Sequence, residues 1–324
     1  MEWQVKVAFH SGYLGFRGTE VALVDYAKGN REILGGESLF LLPWRNEADS
    51  HPVVHRMRAV APVHWYLTEK EREDVLKREK ADFFYSIKNG FFDGVVSDSV
   101  PTGIHAIFRE SEFHGDIYAY VSPWLSQVMS HGKTPWVPHM VSLGDPAGDL
   151  RDELGIPSSA VVFGRHGGDD SFDLPWVQKT VVKTAQANPL IHFIFLNTRV
   201  FAGGGGLKNI HFLPATPDPK RKRSFLESCD AMIHGRRRGE TFGLSCMEFA
   251  VAGKKVLTFS GSPERAHLEL LGEAAIQYDS AETLASRLLS ARDDYRLPPA
   301  AARELANKFG PEQVMKQFRQ VFLS

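Results

Sequence analysis

The fold class of this chain is decided by one stretch that joins a strand, a glycine-rich turn and a helix. It reads Ala231-Met232-Ile233-His234-Gly235-Arg236-Arg237-Arg238-Gly239-Glu240-Thr241-Phe242-Gly243-Leu244-Ser245-Cys246-Met247-Glu248-Phe249-Ala250-Val251. The first four residues form a short apolar run that predicts a buried strand, and residues 241–251 predict a helix. A strand that leads through a short turn into a helix is typical of α/β folds with a parallel sheet.

Two glutamates flank the predicted start of this helix. The first turn of a helix presents unpaired N–H groups and the positive end of its dipole, which suits a phosphate, and Gly243 has no side chain to block close approach. Glu240 and Glu248 stand eight residues apart, so on one helix they lie about 80° apart around the axis. The spacing alone fits a second interpretation equally well, in which Glu240 is an acid in the first turn of the helix and Glu248 is a surface charge. The apolar residues 249–252 favour a buried helix, in which Glu248 would accept paired hydroxyls.

Strands and helices alternate along the rest of the chain. Strands are predicted at 5–10, 37–43, 81–87, 103–108, 117–121, 160–163, 191–196, 209–213, 231–234 and 255–259. Helices are predicted at 19–27, 69–80, 176–187, 220–229, 241–251 and 311–322. The pattern restarts after the breaker-rich residues 141–148. We therefore predict two α/β domains, over 1–143 and 144–305, and a final helical segment over 306–324.

Composition excludes several functional classes. The 324 residues include 38 basic and 39 acidic side chains, and a net charge of −1 gives no global field for a nucleic-acid partner. Two cysteines, Cys229 and Cys246, are too few for a disulfide scaffold or a four-cysteine zinc site, and we expect them to be buried. No apolar run is long enough for an integral membrane segment, and no secretory signal is evident. These features predict a cytoplasmic protein.

The stretch quoted above resembles the C-terminal signature of family-4 retaining glycosyltransferases of the GT-B fold, a glutamate followed by seven residues and a second glutamate. The resemblance extends to the strands on either side and to Gly164-Arg165, which looks like the Gly-Arg pair that opens the C-terminal domain. Further matches are residues 138–141 between the domains and Gly15, Gly18 and Glu20 in the first glycine loop. The resemblance is specific over residues 160–280 and looser over the residues before them.

The resemblance implies two Rossmann-like parallel-sheet domains that face each other across a cleft. The N-terminal domain would take the acceptor, the C-terminal domain would bind the nucleotide sugar, and the last helix would pack back toward the N-terminal domain. Carried over by position, Glu240 and His105 are the catalytic candidates, both at the donor sugar. The donor-binding candidates are Gly15, Arg165, Phe242, Gly243, Leu244 and Glu248. The resemblance implies neither a metal nor a cofactor.

This sequence departs from the family at one position. A lysine usually follows the arginine by about five residues, and both clamp the diphosphate; here the position is Asp170. A carboxylate cannot replace that cation, so the neighbouring Arg236, Arg237 or Arg238 would have to supply the charge.

Several other residues are weaker candidates. His114 competes with His105, and His10 ends the first strand, where it would lie near the acceptor. The turn with Gly12, Gly15 and Gly18 does not match the dinucleotide fingerprint, so Arg17 within it is either a phosphate or acceptor contact or part of an ordinary turn. Pro214 lies where the family has its nucleobase loop, and Arg238 is a candidate at the phosphates. For the histidines, packing within the core is the alternative.

The predicted activity is transfer of a sugar from a UDP- or GDP-sugar to a hydroxyl acceptor, with retention of anomeric configuration and without a metal. The acceptor would be a glycan, a lipid or a small molecule, and family members can contact membranes peripherally. Two alternatives stay open: another enzyme on the same fold, such as a nucleotide-sugar epimerase or a phosphorylase, and a non-catalytic nucleotide-sugar-binding protein.

Overall fold

The computed structural model describes residues 4–15, 18–44 and 51–324. The chain divides into two compact units. The N-terminal unit comprises residues 1–140 together with 308–324, and the C-terminal unit comprises residues 141–307.

The N-terminal unit is built on six parallel strands in the order β3-β2-β1-β4-β5-β6. The strands are β1 (Lys6–His10), β2 (Glu37–Pro43), β3 (Val63–Tyr66), β4 (Phe83–Lys88), β5 (Thr102–Ala106) and β6 (Ile117–Tyr120). Its helices up to this point are α1 (Gly18–Glu32), α2 (Pro52–Val60), α3 (Glu69–Arg78) and α4 (Pro123–Ser130). All residues of β4 and β5 are buried, as expected of a parallel sheet covered on both faces.

The C-terminal unit repeats this plan with a parallel sheet in the order β14-β12-β10-β7-β8-β9. Its strands are β7 (Val161–His166), β8 (Ile191–Leu196), β9 (Ile210–Leu213), β10 (Ala231–His234), β12 (Val256–Phe259) and β14 (Ala275–Tyr278), and a small pair joins β11 (Gly239–Glu240) to β13 (Glu264–Arg265). Its helices are α5 (Pro175–Ala187), α6 (Pro219–Ser228), α7 (Leu244–Val251), α8 (Ala266–Leu271) and α9 (Ala281–Leu288). An aromatic core that includes Phe163, Phe193 and Phe195 lies against one face of this sheet.

The last two helices are α10 (Pro299–Phe309), which leads the chain out of the C-terminal unit, and α11 (Pro311–Phe322). Helix α11 packs on the N-terminal sheet through Phe318 and Phe322. The ring of Phe318 lies 5.2 Å from that of Tyr26 and 5.1 Å from that of Tyr85. Gly29 of α1 permits this packing, because a Cβ there would lie 2.6 Å from the Met315 side chain. No helix in the described ranges is long and apolar enough to cross a membrane.

The predicted fold class, two Rossmann-like parallel-sheet domains, is confirmed. Two boundaries near the site differ from prediction. Strand β7 continues through Arg165 to His166, because its hydrogen-bonded register with β8 extends that far. Helix α7 begins at Leu244 rather than at 241, because Gly243 has a left-handed backbone (φ +87°) that interrupts the helix. Glu240 therefore lies in β11, and the helical angle expected between the two glutamates does not apply.

Candidate functional site

The C-terminal sheet has a topological switch point between β7 and β10. From β7 the chain runs outward to β8 and β9, and it then crosses over to add β10 on the other side. Because the connections leave the two strands in opposite directions, ligands of open α/β sheets bind at the carboxyl ends of such strands. Here β7 ends with Arg165 and His166, and β10 ends with His234.

Helix α7 begins at this switch point with backbone N–H groups that no side chain caps. Its N-cap is Gly243, and a Cβ at that position would lie 2.9 Å from Cβ of His267 and 3.2 Å from Cβ of Glu240. Both the positive φ and the close packing therefore require glycine. The uncapped amides of the first turn, which begins at Leu244, are suited to bind an anion. Phe242, also predicted to contact phosphate, is buried just before the cap.

Glu240 lies beside this helix start with its carboxylate held on both sides. Nη1 of Arg236 donates to Oε2 at 2.7 Å, and Nε2 of His234 lies 3.3 Å from Oε1. Burial raises the pKa of Glu240, but the hydrogen bond from His234 and the charge of Arg236 outweigh it, and the pKa falls to about 2. The carboxylate is therefore ionised at neutral pH.

A buried chain of hydrogen bonds continues behind Glu240. Nδ1 of His234 lies 2.9 Å from Oγ1 of Thr258, and Nε2 of His267 lies 3.0 Å from the same hydroxyl. Because an ionised carboxylate only accepts hydrogen bonds, Nε2 of His234 donates to Glu240, and its Nδ1 faces the Thr258 hydroxyl, which can donate or accept. Burial lowers the pKa of His267 to about 3, so that ring is neutral. Sequence reasoning did not single out these residues, although the position of His234 at a strand end was a usable signal.

Glu248 forms a second buried carboxylate centre, inside α7. Its Oε1 lies 2.5 Å from Nζ of Lys222, and its Oε2 lies 2.9 Å from Nε2 of His166. Burial raises the pKa of Glu248, but Lys222 and His166 more than offset this, and the pKa falls to about 2. Burial lowers the pKa of His166, which favours a neutral ring. Neither Lys222 nor His166 was predicted as a site residue.

Arg165 is buried and donates to two loops, the one that follows β7 and the one that follows β8. Nη1 donates to the backbone oxygen of Asn197 and to Oγ1 of Thr198, and Nη2 donates to the oxygen of Gly168 and to Oγ of Ser171. Burial lowers its pKa to about 10, so it remains a cation at neutral pH. Its charge interacts with Glu240, which places both groups at the same end of the sheet. We predicted that Arg165 binds the diphosphate. In the structure its guanidinium already donates four hydrogen bonds within the protein.

The structure also locates Asp170, which stands where the family has a lysine, and the residues considered as replacements for that lysine. Asp170 is exposed, and its charge acts on Arg165. Arg238 donates to Oε1 of the buried Glu264 at 2.8 Å, and Arg236 pairs with Glu240. Pro214 is exposed and directly follows the edge strand β9.

In the N-terminal unit, His10 lies at the equivalent switch point, between β1 and β4. Both ring nitrogens are engaged: Nδ1 lies 2.9 Å from Oγ of Ser86, and Nε2 lies 2.8 Å from the hydroxyl of Tyr66. Burial and the charge of Lys88 lower its pKa to about 3. Gly15 lies in the loop after β1, with open space around its Cα, and Arg17 lies outside the described residues.

His105 lies in the interior of the N-terminal unit rather than at a surface. It is fully buried, its Nδ1 lies 2.6 Å from the hydroxyl of Tyr85, and its Nε2 lies 2.9 Å from the backbone oxygen of Val137. Burial lowers its pKa to about 4. This position favours the packing alternative, because a donor sugar could reach the ring only if the core opened. His114 is partly exposed, beside the rings of Phe92 and Tyr118.

The cysteines are both buried, as expected. Within the described ranges, no group of three or more His, Cys, Asp or Glu side chains is arranged to hold a metal ion.

No protein-family model and no curated protein matches this sequence. Solved structures do share its fold. Anabaena HepE in complex with UDP and glucose matches with a TM-score of 0.72, over 99% of this chain and 100% of that one, at 16% identity. HepE has also been solved with UDP-glucose. A glycosyltransferase from Rickettsia africae matches with a TM-score of 0.71 over 98% of both chains, at 12% identity.

A third similar structure, from Listeria monocytogenes, is described as a UDP-N-acetylglucosamine 2-epimerase. It matches with a TM-score of 0.60 over 97% of this chain and 94% of that one, at 13% identity. At these identities the likeness establishes the fold, which is that of the GT-B class, and not the activity.

Proposed function

We propose that this protein is a glycosyltransferase that moves a sugar from a nucleotide-diphosphate sugar to a hydroxyl acceptor. The observation that carries the proposal is the uncapped start of α7 at the switch point of the C-terminal sheet, with Glu240 and Glu248 on either side of it. Amides at a helix start suit the diphosphate, and a buried carboxylate suits the paired hydroxyls of a ribose. The solved complexes of HepE with UDP and UDP-glucose support a uridine nucleotide, with GDP as the other candidate.

In this proposal the chain's own groups stabilise the leaving diphosphate. The α7 amides and nearby cations would meet the charge that develops on it, so the reaction is proposed to proceed without a metal. Glu248 would hold the ribose, and Glu240 would lie against the donor sugar. Both carboxylates have a pKa of about 2, so they are ionised at neutral pH. They would therefore orient hydroxyls by accepting hydrogen bonds from them, and they would not donate protons. Retention of configuration rests on the resemblance of the Glu240–Glu248 segment to the family-4 signature.

The acceptor is proposed to be a hydroxyl compound bound mainly by the N-terminal unit. His10 supports this placement, because it lies at the carboxyl ends of β1 and β4, where ligands of such sheets bind. We keep Gly15 as a proposed contact of the donor and Arg17 as a proposed contact of either a phosphate or the acceptor. A cytoplasmic location also remains part of the proposal, whereas peripheral membrane contact rests on the family resemblance alone.

The test is a two-stage assay. Thermal unfolding with UDP, GDP and a panel of their sugars identifies the ligand, because a ligand that binds the folded state raises the midpoint. Mass spectrometry of the stabilising donor with mixed hydroxyl acceptors should then show a glycosylated product, whose anomeric configuration NMR can assign.

Other outcomes would replace the proposal with one of its alternatives. An epimerase would convert the donor without an acceptor, which the fold shared with the Listeria structure makes a relevant control. A phosphorylase would require free phosphate. Tight nucleotide binding without conversion of any donor would indicate a binding protein.

A further inference from the structure

Among the described residues, four cations lie on or contact the elements around the start of α7, and each already has a partner. Arg165 donates to the loops after β7 and β8, Arg236 pairs with Glu240, and Arg238 pairs with Glu264. The fourth cation is Lys222, which pairs with Glu248. Of these four, Lys222 is held by the carboxylate that the proposed function assigns to the ribose. A ribose hydroxyl that takes the place of Lys222 at Oε1 of Glu248 would therefore release the ammonium.

The geometry allows Lys222 to move. Its side chain extends from α6 and is 28% exposed, whereas the Glu248 side chain that it reaches is only 5% exposed. A lysine carries its charge on a flexible four-carbon stem, so the ammonium can change partners without a backbone movement. The first turn of α7 lies four residues before Glu248, which is about 6 Å along a helix axis. The released ammonium would thus lie close to the uncapped amides.

We propose that Lys222 is a nucleotide-binding residue that exchanges partners when the donor binds. In the unliganded protein it neutralises Glu248. When a nucleoside diphosphate binds, the ribose hydroxyls hydrogen-bond to the Glu248 carboxylate, and the Lys222 ammonium pairs with the phosphates. Lys222 then supplies the cation that position 170 lacks. This inference rests on the proposed function of the site.

The exchange follows from the cost of leaving buried charges unpaired. Hydroxyls can replace the ammonium at Glu248, and a phosphate can replace the carboxylate at Lys222, so a nucleotide satisfies both groups. A nucleoside offers hydroxyls but no phosphate, so it breaks the ion pair and leaves the ammonium to water. Ribose recognition and phosphate recognition are therefore coupled through one side chain.

The test compares nucleotides with their nucleosides by titration calorimetry. UDP with uridine, and GDP with guanosine, are titrated into the wild type, Lys222→Gln and the matched control Lys220→Gln, an exposed lysine on the same helix. We expect Lys222→Gln to weaken the diphosphate about tenfold to a hundredfold, the effect of losing one charge-assisted hydrogen bond. Its nucleoside affinity should stay equal or rise, and Lys220→Gln should change neither.

A second comparison avoids an unpaired buried carboxylate, because Glu248→Gln is neutral and needs no opposite charge. Both measurements are repeated in a Glu248→Gln background, where Lys222→Gln should still weaken the diphosphate selectively. Equal losses for nucleoside and diphosphate would overturn the exchange and leave Lys222 as a structural partner of Glu248. A selective loss in Arg236→Gln but not in Lys222→Gln would also overturn it and assign the cation to Arg236. If the wild type binds none of the four ligands, the proposed function itself fails.

Discussion

At the scale of single residues, the candidate site is defined by two carboxylates that different neighbours keep ionised. His234 and Arg236 hold Glu240, whereas Lys222 and His166 hold Glu248. Each carboxylate thus lies in a separate polar network, one just before α7 and one within it. This separation allows one site to bind two different parts of a ligand, here proposed to be a sugar and a ribose.

Gly243 provides a test of the close approach at the start of α7. Gly243→Ala should weaken binding of the stabilising nucleotide at least tenfold, because the new methyl group would lie 2.9 Å from Cβ of His267 and distort the first turn. It should also lower stability by about 1–2 kcal/mol, because alanine is disfavoured at positive φ. Calorimetry and thermal unfolding measure the two effects.

Gly253→Ala is the matched control for this substitution. Gly253 also has a positive φ, of +78°, but a Cβ there would meet nothing within 4 Å. The Gly253→Ala variant should therefore be less stable than the wild type and keep the wild-type affinity for the nucleotide. Equal losses of affinity in both variants would contradict a role for Gly243 in the binding site.

At the scale of elements, the sequence predicts the buried strands well and the boundaries at the site poorly. Strands such as β2 and β8 contain unbroken apolar runs, Leu39–Leu42 and Phe193–Leu196, which have a single interpretation. The strand β3 was not predicted, because Val63-His64-Trp65-Tyr66 is short and only half-buried. The start of α7 depends on the backbone of Gly243, and the partners of Glu248 come from α6 and β7, far away in sequence. Local patterns cannot reveal such tertiary contacts.

Helix α11 gives a prediction at this scale. Phe318 is fully buried among Phe9, Tyr26 and Tyr85, so Phe318→Ala should lower the free energy of unfolding by about 3–5 kcal/mol. Gln320→Ala, on the exposed face of the same helix, should change it by less than about 0.5 kcal/mol. Chemical denaturation followed by tryptophan fluorescence measures both. A small effect of Phe318→Ala would show that α11 does not stabilise the sheet on which it packs.

At the scale of the whole molecule, the net charge is near zero, but this number does not show that several histidines are buried in their neutral form. Burial lowers the pKa of His10 and His139 to about 3 and that of His105 to about 4. In the unfolded chain these rings take up protons below about pH 6.5, whereas in the folded protein they do not. Unfolding therefore binds protons, and stability must fall as the pH falls from about 6.5 toward 4.

We expect the thermal midpoint to be lower at pH 5 than at pH 7, and the dependence to weaken in His105→Gln. That variant removes one group whose folded pKa lies well below its unfolded value, worth up to about 1.4 kcal/mol per pH unit. Thermal unfolding at intervals of half a pH unit measures the slope. An unchanged slope in His105→Gln would mean that this ring titrates alike in the folded and unfolded states.

The central claim is that the start of α7 binds the phosphates of a nucleotide. The most direct measurement follows the backbone amide NMR signals of Leu244 and Ser245 while UDP, or GDP, is added to the isotope-labelled protein. We predict large, saturable shifts of these two signals, with much smaller shifts when the matching nucleoside is added. Saturable shifts confined to other parts of the chain, with the Leu244 and Ser245 signals unmoved, would contradict the account.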